Sequence, residues 1–257
     1  MLAFAFHQRF ESLGSEWFRF PNHYLLYASS GAFHLEVGNS RWFLPPQRAA
    51  WILADTPFRA SIDGPSTCSS VLFNPEIIYP PGVPCRVFAV SPLAREMIQY
   101  AMRWGRDRNE TRDSDHDSDH NADRFFLSLA MVCTELAQQE DTLWLPNASS
   151  DELNRAMAYA QTHLADGATF EGAAAAAGIS ERTLARRFDE ETQMNWQQYL
   201  RRARMIRAMA LLTAGNAKII EVAHQTGFKS QSAFIAAFRE FSGESPSDYR
   251  RRVQSAR

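Results

Sequence analysis

The chain has 257 residues, 45% of them hydrophobic and 22% charged, with a formal net charge of −2. That length holds two domains of ordinary size, and the composition excludes a disordered or fibrous polypeptide. No apolar run approaches the roughly eighteen residues of a membrane helix, and three cysteines (Cys68, Cys85, Cys133) without a CxxC pair point to reduced thiols in a cytoplasmic protein.

The opening MLAFAFHQRF lacks a basic start, and His7 and Arg9 break its apolar run, which speaks against a signal peptide. From Trp17 to Phe73 short apolar runs alternate with turn signals. HYLLYA and AFHLEV flank Gly31, Gly38-Asn39 leads into RWFLPP, and AAWILA, FRASI and SSVLF follow, separated by Asp55-Thr56-Pro57 and Asp63-Gly64-Pro65. Strands of this length and spacing predict a small β-barrel or sandwich. Pro92 to Trp104 turns helical, with Leu93, Met97, Ile98, Ala101 and Trp104 on one side. No apolar residue occurs from Asp107 to Asn121, so about 106–122 is expected to be a flexible acidic loop. His116 and His120 lie four apart within it, but such tracts are commonly solvated connectors, and no metal site is assigned. A second amphipathic helix is expected over Asp123–Gln139. Residues 141–150, including DTLWLPNA, read as an interdomain linker. Ser149 and Glu152 have capping-box spacing for a helix carrying Leu153, Ala156, Met157, Ala160 and Leu164, ended by Gly167.

The most informative stretch runs from Lys218 to Arg250. Ile219, Val222 and Ala223 mark one helical face, and Gly227 supplies the left-handed turn that ends it. Ser230 can cap a following helix whose Phe234, Phe238 and Phe241 form a buried stripe. Helix, glycine turn and capped helix make a helix-turn-helix, whose second helix can enter a DNA major groove. The pattern occurs twice. Ala174, Gly178, Ile179, Ser180, Leu184 and Phe188 repeat its order, and Ser180, Leu184 and Phe188 precede Ser230, Phe234 and Phe238 by 50 positions each. Between the copies, Trp196, Tyr199, Leu200, Ala203, Ile206, Ala210 and Leu211 trace one stripe of a long spacer helix. A spacer of that length, roughly 25–30 Å, suits two helices reading successive major-groove faces about 34 Å apart.

At these residues the segment from about Asp151 to Arg252 resembles the DNA-binding domain of the AraC/XylS transcription regulators. Ala223, Gly227, Phe228, Ser232, Phe234, Phe238, Gly243, Pro246, Tyr249 and Arg250 carry the resemblance, over roughly the last two-fifths of the chain. The stretch GAFHLEVGNSRWFLPPQRAAWILADTPF is similar to the cupin-type sensor domain of one branch of that family. The resemblance implies an α+β protein of two domains. Residues 1–140 would form a cupin-like sensor with packed helices, 141–150 a linker, and 151–257 an all-α domain with two helix-turn-helix motifs. It also implies a homodimer joined through the sensor's helices, and activation by contact with RNA polymerase. Metal-binding cupins carry histidines where Phe18, Phe20 and Phe58 stand here, and aromatic rings cannot take their place as ligands. A mouth of the barrel would therefore be apolar. Phe18, Phe20, Trp42, Trp51 and Phe58 become candidates for binding a small hydrophobic effector, although such aromatics also simply fill small barrels. His23 and His34 read as strand histidines with hydrogen-bond partners.

The net charge fits a DNA binder once it is divided. Residues 151–257 carry 15 of the 27 basic and 12 of the 29 acidic residues, a balance of +3, which leaves −5 for the rest. On the first recognition helix Arg182, Ala185 and Arg186 fall outward, and arginine can bond guanine bidentately. Ser180, Thr183 and Arg187 flank that face as phosphate-contact candidates. The second helix offers Gln231 and Ser232 to bases, with Lys229, Ser230 and Arg239 for phosphates. The family usually has a basic residue where Ala236 stands. The expected function is a ligand-responsive transcription regulator that binds double-stranded DNA, without a cofactor. A cupin enzyme with an appended DNA-binding domain and a ligand-independent DNA-binding protein are the alternatives.

Overall fold

The computed structural model describes residues 1–80, 82–106, 116–139 and 141–255, and of 116–119 only the backbone. It divides into two compact units, Met1–Gly38 with Trp42–Thr142, and Asn39–Arg41 with Leu143–Ser255.

In the first unit the alternation of apolar residues gives strands β1 (Ala3–Phe10), β2 (Glu16–Phe18), β3 (His23–Ser30), β4 (Phe33–Val37), β5 (Ser40–Leu44), β6 (Arg48–Ile52), β7 (Phe58–Ser61), β8 (Ser66–Phe73) and β9 (Cys85–Ala89). Pairing sorts them into two sheets. One has the order β1-β8-β3-β6-β9, and β5, β4, β7 and β2 lie side by side in the other. Because side chains alternate between faces, register decides which residues can meet. Ala5, Val71, Leu25 and Trp51 stand opposite one another in a row across four strands. This row packs beneath two helices, α1 (Pro92–Ala101) and α2 (His116–Leu136), together with Ile98, Phe126, Leu129 and Cys133. The rings of Trp51, Phe73 and Phe126 form a chain with centroids 5.1 and 6.1 Å apart.

Helix α2 starts at His116, so the expected acidic loop is helical from that residue on, while 107–115 lie outside the described residues. The reason lies in packing, which the local composition of this stretch does not disclose. Ala122, fully buried, then anchors it to the core. His23 accepts the Ala54 N–H at Nδ1 (2.9 Å), and His34 Nε2 lies 2.9 Å from Asp63. Burial pushes the Cys85 and Cys133 thiols up to about 12, and all three cysteines are free.

The second unit opens on a short strand, β10 (Trp144–Pro146), and continues as α3 (Asp151–Thr162), α4 (Phe170–Ala177), α5 (Glu181–Thr192), α6 (Trp196–Ala214), α7 (Ile219–Gln225), α8 (Gln231–Ser242) and α9 (Pro246–Gln254). The stretch expected to be a tether is docked on this unit. Arg202 lies 4.8 Å over the Trp144 ring, Leu145 packs on the helical core, and the Asn147 N–H donates to Asn39 O at 2.7 Å. The cap of α3 also differs from the expected box, since Ser150 rather than Ser149 accepts from the Leu153 N–H.

Candidate nucleic-acid interface and N-terminal cavity

In the first motif Gly178 takes φ +73°, ending α4, and the Ser180 hydroxyl accepts the Thr183 N–H at 3.2 Å to start α5. Leu184 and Phe188 are buried, and the Phe188 ring meets Trp196 and Tyr199 of α6 at 5.7 and 5.4 Å. That fixes the rotation of α5, and Arg182, Ala185 and Arg186 are exposed on its other side. Arg186 pairs with Glu190 one turn on at 2.7 Å; both side chains are more than half exposed, so the pair holds the guanidinium only weakly. Arg187, expected to flank the DNA face, is engaged elsewhere: its Nη1 donates to Glu152 of α3 at 2.8 Å, and both groups are about two-thirds covered. The Thr183 hydroxyl is bonded to Ser180 at 2.9 Å.

The second motif repeats the construction. Thr226 caps α7, Gly227 takes φ +79°, and the Ser230 hydroxyl accepts the Ala233 N–H at 3.2 Å. Phe234 and Phe238 are fully buried, stacked in sequence between Phe228 and Tyr249 with centroids 5.5–5.7 Å apart. Lys229, Ser230, Gln231, Ser232 and Arg239 are all exposed, as is Ala236. The first turn of α8 presents backbone N–H groups beside Lys229, an arrangement that suits a phosphate.

Sequence reasoning missed the clamp that seats α5. Glu191 accepts both hydroxyls and both N–H groups of Ser149 and Ser150, at 2.6–2.9 Å. Burial works to raise its pKa, but the donors from Ser150 and Ser149 outweigh this and hold the carboxyl below its ordinary value. A depressed acid stabilises the fold above its ordinary pKa of 4.5 and loses that contribution as pH falls through the lower, folded value. Glu191→Gln should therefore unfold earlier than the parent in urea at neutral pH, with the gap closing in acid. A gap that stays constant across that range would contradict the clamp.

The aromatic candidates of the first unit separate into two groups. Phe18, Phe20 and Phe58 come together, with centroids 5.5–6.4 Å apart, and line a cavity of about 220 Å³ between the sheets. Trp51 does not reach it. Its register with Leu25 puts the indole on the opposite face, under the helices, and this is a correction that strand parity explains. Trp42 is buried away from the cavity lining. The sequence reading missed Phe6, Gln8, Phe10, Glu16, Tyr24 and Phe33, which also line it. The alternation in AFAFHQRF was the available signal for Phe6 and Phe10.

Comparison with known proteins fits the paired motif. Residues 173–252 match the model of a family described as a helix-turn-helix domain. The HTH-type transcriptional regulator NimR of Escherichia coli K12 is 26% identical over 253 residues, 96% of this chain and 86% of NimR. The HTH-type transcriptional activator RhaS of Escherichia coli SMS-3-5 is 30% identical over 141 residues, 55% of this chain. The chain spans only about half of RhaS, 49% of its length. The DNA-binding domain of AdpA, a global transcriptional factor solved with a target DNA, is 36% identical over 42% of this chain and 97% of that domain, with a TM-score of 0.39. The doubled motif, the matched segment and the two similar regulators agree: this chain is a transcription regulator whose residues 173–252 form a helix-turn-helix domain of the AraC type.

Proposed function

We propose that the protein is a cytoplasmic, homodimeric regulator that reads one short operator mainly through α5 and responds to a small effector whose apolar body is held between its sheets. One observation carries the reading: the same serine-capped helix occurs twice, each copy fixed by a buried Leu/Phe or Phe/Phe pair with its polar side exposed. Arg182 and Arg186 are the base-reading groups, and Lys229, Ser230, Gln231, Ser232 and Arg239 hold the duplex through the second motif. The resemblance adds activation through contact with RNA polymerase. Mapping bound DNA across the source genome tests the reading. A shared short sequence beneath the bound sites supports it, and sequence-independent coverage would refute it.

The homodimer has its own support. Arg124, Leu127, Met131 and Glu135 form an exposed stripe on α2, with Met131 73% and nearby Tyr79 80% exposed. The stripe is self-complementary. An antiparallel partner about a two-fold axis near residue 129 brings Arg124 opposite Glu135 and Leu127 opposite Met131. Met131→Glu should convert the dimer to a folded monomer in sedimentation. An unchanged dimer would place the contact elsewhere.

A further inference from the structure

We propose that the N-terminal cavity selects a small aromatic compound bearing a protonated amine or quaternary ammonium group, and discriminates against aromatic carboxylates. This rests on the reading of that cavity as the effector site and gives the effector a chemical class.

The lining carries the inference. Phe18, Phe20, Tyr24 and Phe58 form a contiguous aromatic wall, with centroids 5.1–6.4 Å apart. No Lys, Arg or His is among the described lining residues. The inner polar groups are already engaged: the Tyr24 hydroxyl is bonded to Ser70 Oγ at 2.9 Å, and Ser70 also approaches Cys68 Sγ at 3.5 Å. That leaves Gln8 and Glu16, both exposed residues of the lining, so they stand at the mouth. Glu16 is opposite Ala60 in the β2–β7 pair, which puts its side chain on the cavity face of that sheet.

An anion entering such a site gives up its hydration and finds no counter-charge, whereas a cation finds the negative faces of several rings and a carboxylate. The volume of about 220 Å³ is below the range of drug-sized ligands, so a compound of one or two rings fits. The aromatic body would be covered by the wall and the ammonium group would point at Glu16.

Three probes sharing one phenyl body separate shape from charge: phenethylamine, phenethyl alcohol and phenylacetate, titrated calorimetrically into the full-length protein. The expected order is amine, alcohol, carboxylate, with the amine at least about tenfold tighter than the carboxylate. Glu16 is exposed, so Glu16→Lys should fold normally; it should leave the alcohol unchanged and invert the order of the charged probes. Phenylacetate binding as tightly as phenethylamine, or an order that survives Glu16→Lys, overturns the proposed charge selection. In that case binding of the alcohol would leave the effector cavity standing. Absence of binding by all three probes would remove the cavity reading, and the proposal with it.

Discussion

Gly227→Ala is expected to unfold the second helix-turn-helix selectively and abolish tight operator binding. Two costs coincide at this position. The backbone stands at φ +79°, where a Cβ costs about 1–2 kcal/mol. The new methyl would also lie far inside contact distance of the Leu164 carbonyl oxygen, a backbone atom at the end of the α3 segment that cannot swing aside. Relieving that contact adds about 1–3 kcal/mol, the usual cost of overpacking. The turn glycine of the first motif is the internal control. Gly178 has nearly the same φ, +73°, but nothing lies within 4 Å of its would-be Cβ. Gly178→Ala should therefore lose only the conformational part, about 1–2 kcal/mol. Urea unfolding and operator titration of both variants check this, and equal losses at the two glycines would refute the Leu164 contact as the difference.

Arg186→Ala is expected to weaken operator binding by about 1–3 kcal/mol and to relax preference at one base pair, leaving stability nearly unchanged. The side chain is 61% exposed and its pair with Glu190 is an exposed one, so folding gains little from it. Arg187→Ala should do the opposite, because its guanidinium joins α5 to Glu152 of α3. It should lower stability and leave base preference intact. Gln231→Ala should cost less than Arg186→Ala, since α8 surrounds it with Ala233 and Ala236. Competition titrations against operators altered one base pair at a time measure all three. A larger loss at Gln231 would move the principal reading helix from α5 to α8.

Much of this was open to reading because the motif is local. Gly227, Ser230, Phe234 and Phe238 act within one turn of their neighbours in sequence, so spacing alone discloses turn, cap and buried face. Strands β3 to β8 were legible for the same reason, as alternating runs between turn residues. The short strands β2 and β10 carry too few residues to show a period, and nothing local announces Arg202 above Trp144. Helix α2 began earlier than expected because its buried face starts at Ala122, and packing on the core supports a helix that the polar composition before it does not announce.

The amino-acid sequence by itself determined the two helix-turn-helix motifs, the outward placement of Arg182 and Arg186, and the aromatic character of Phe18, Phe20 and Phe58. Only the tertiary structure decided which groups are already spoken for: Arg187 by Glu152, Ser149 and Ser150 by Glu191, Trp51 by the core beneath α1 and α2. The physical reason is range. Turns, caps and helical faces are set within a few residues of one another, whereas ion pairs and strand register join positions dozens of residues apart. Those pairings form only once the chain has folded to bring them together.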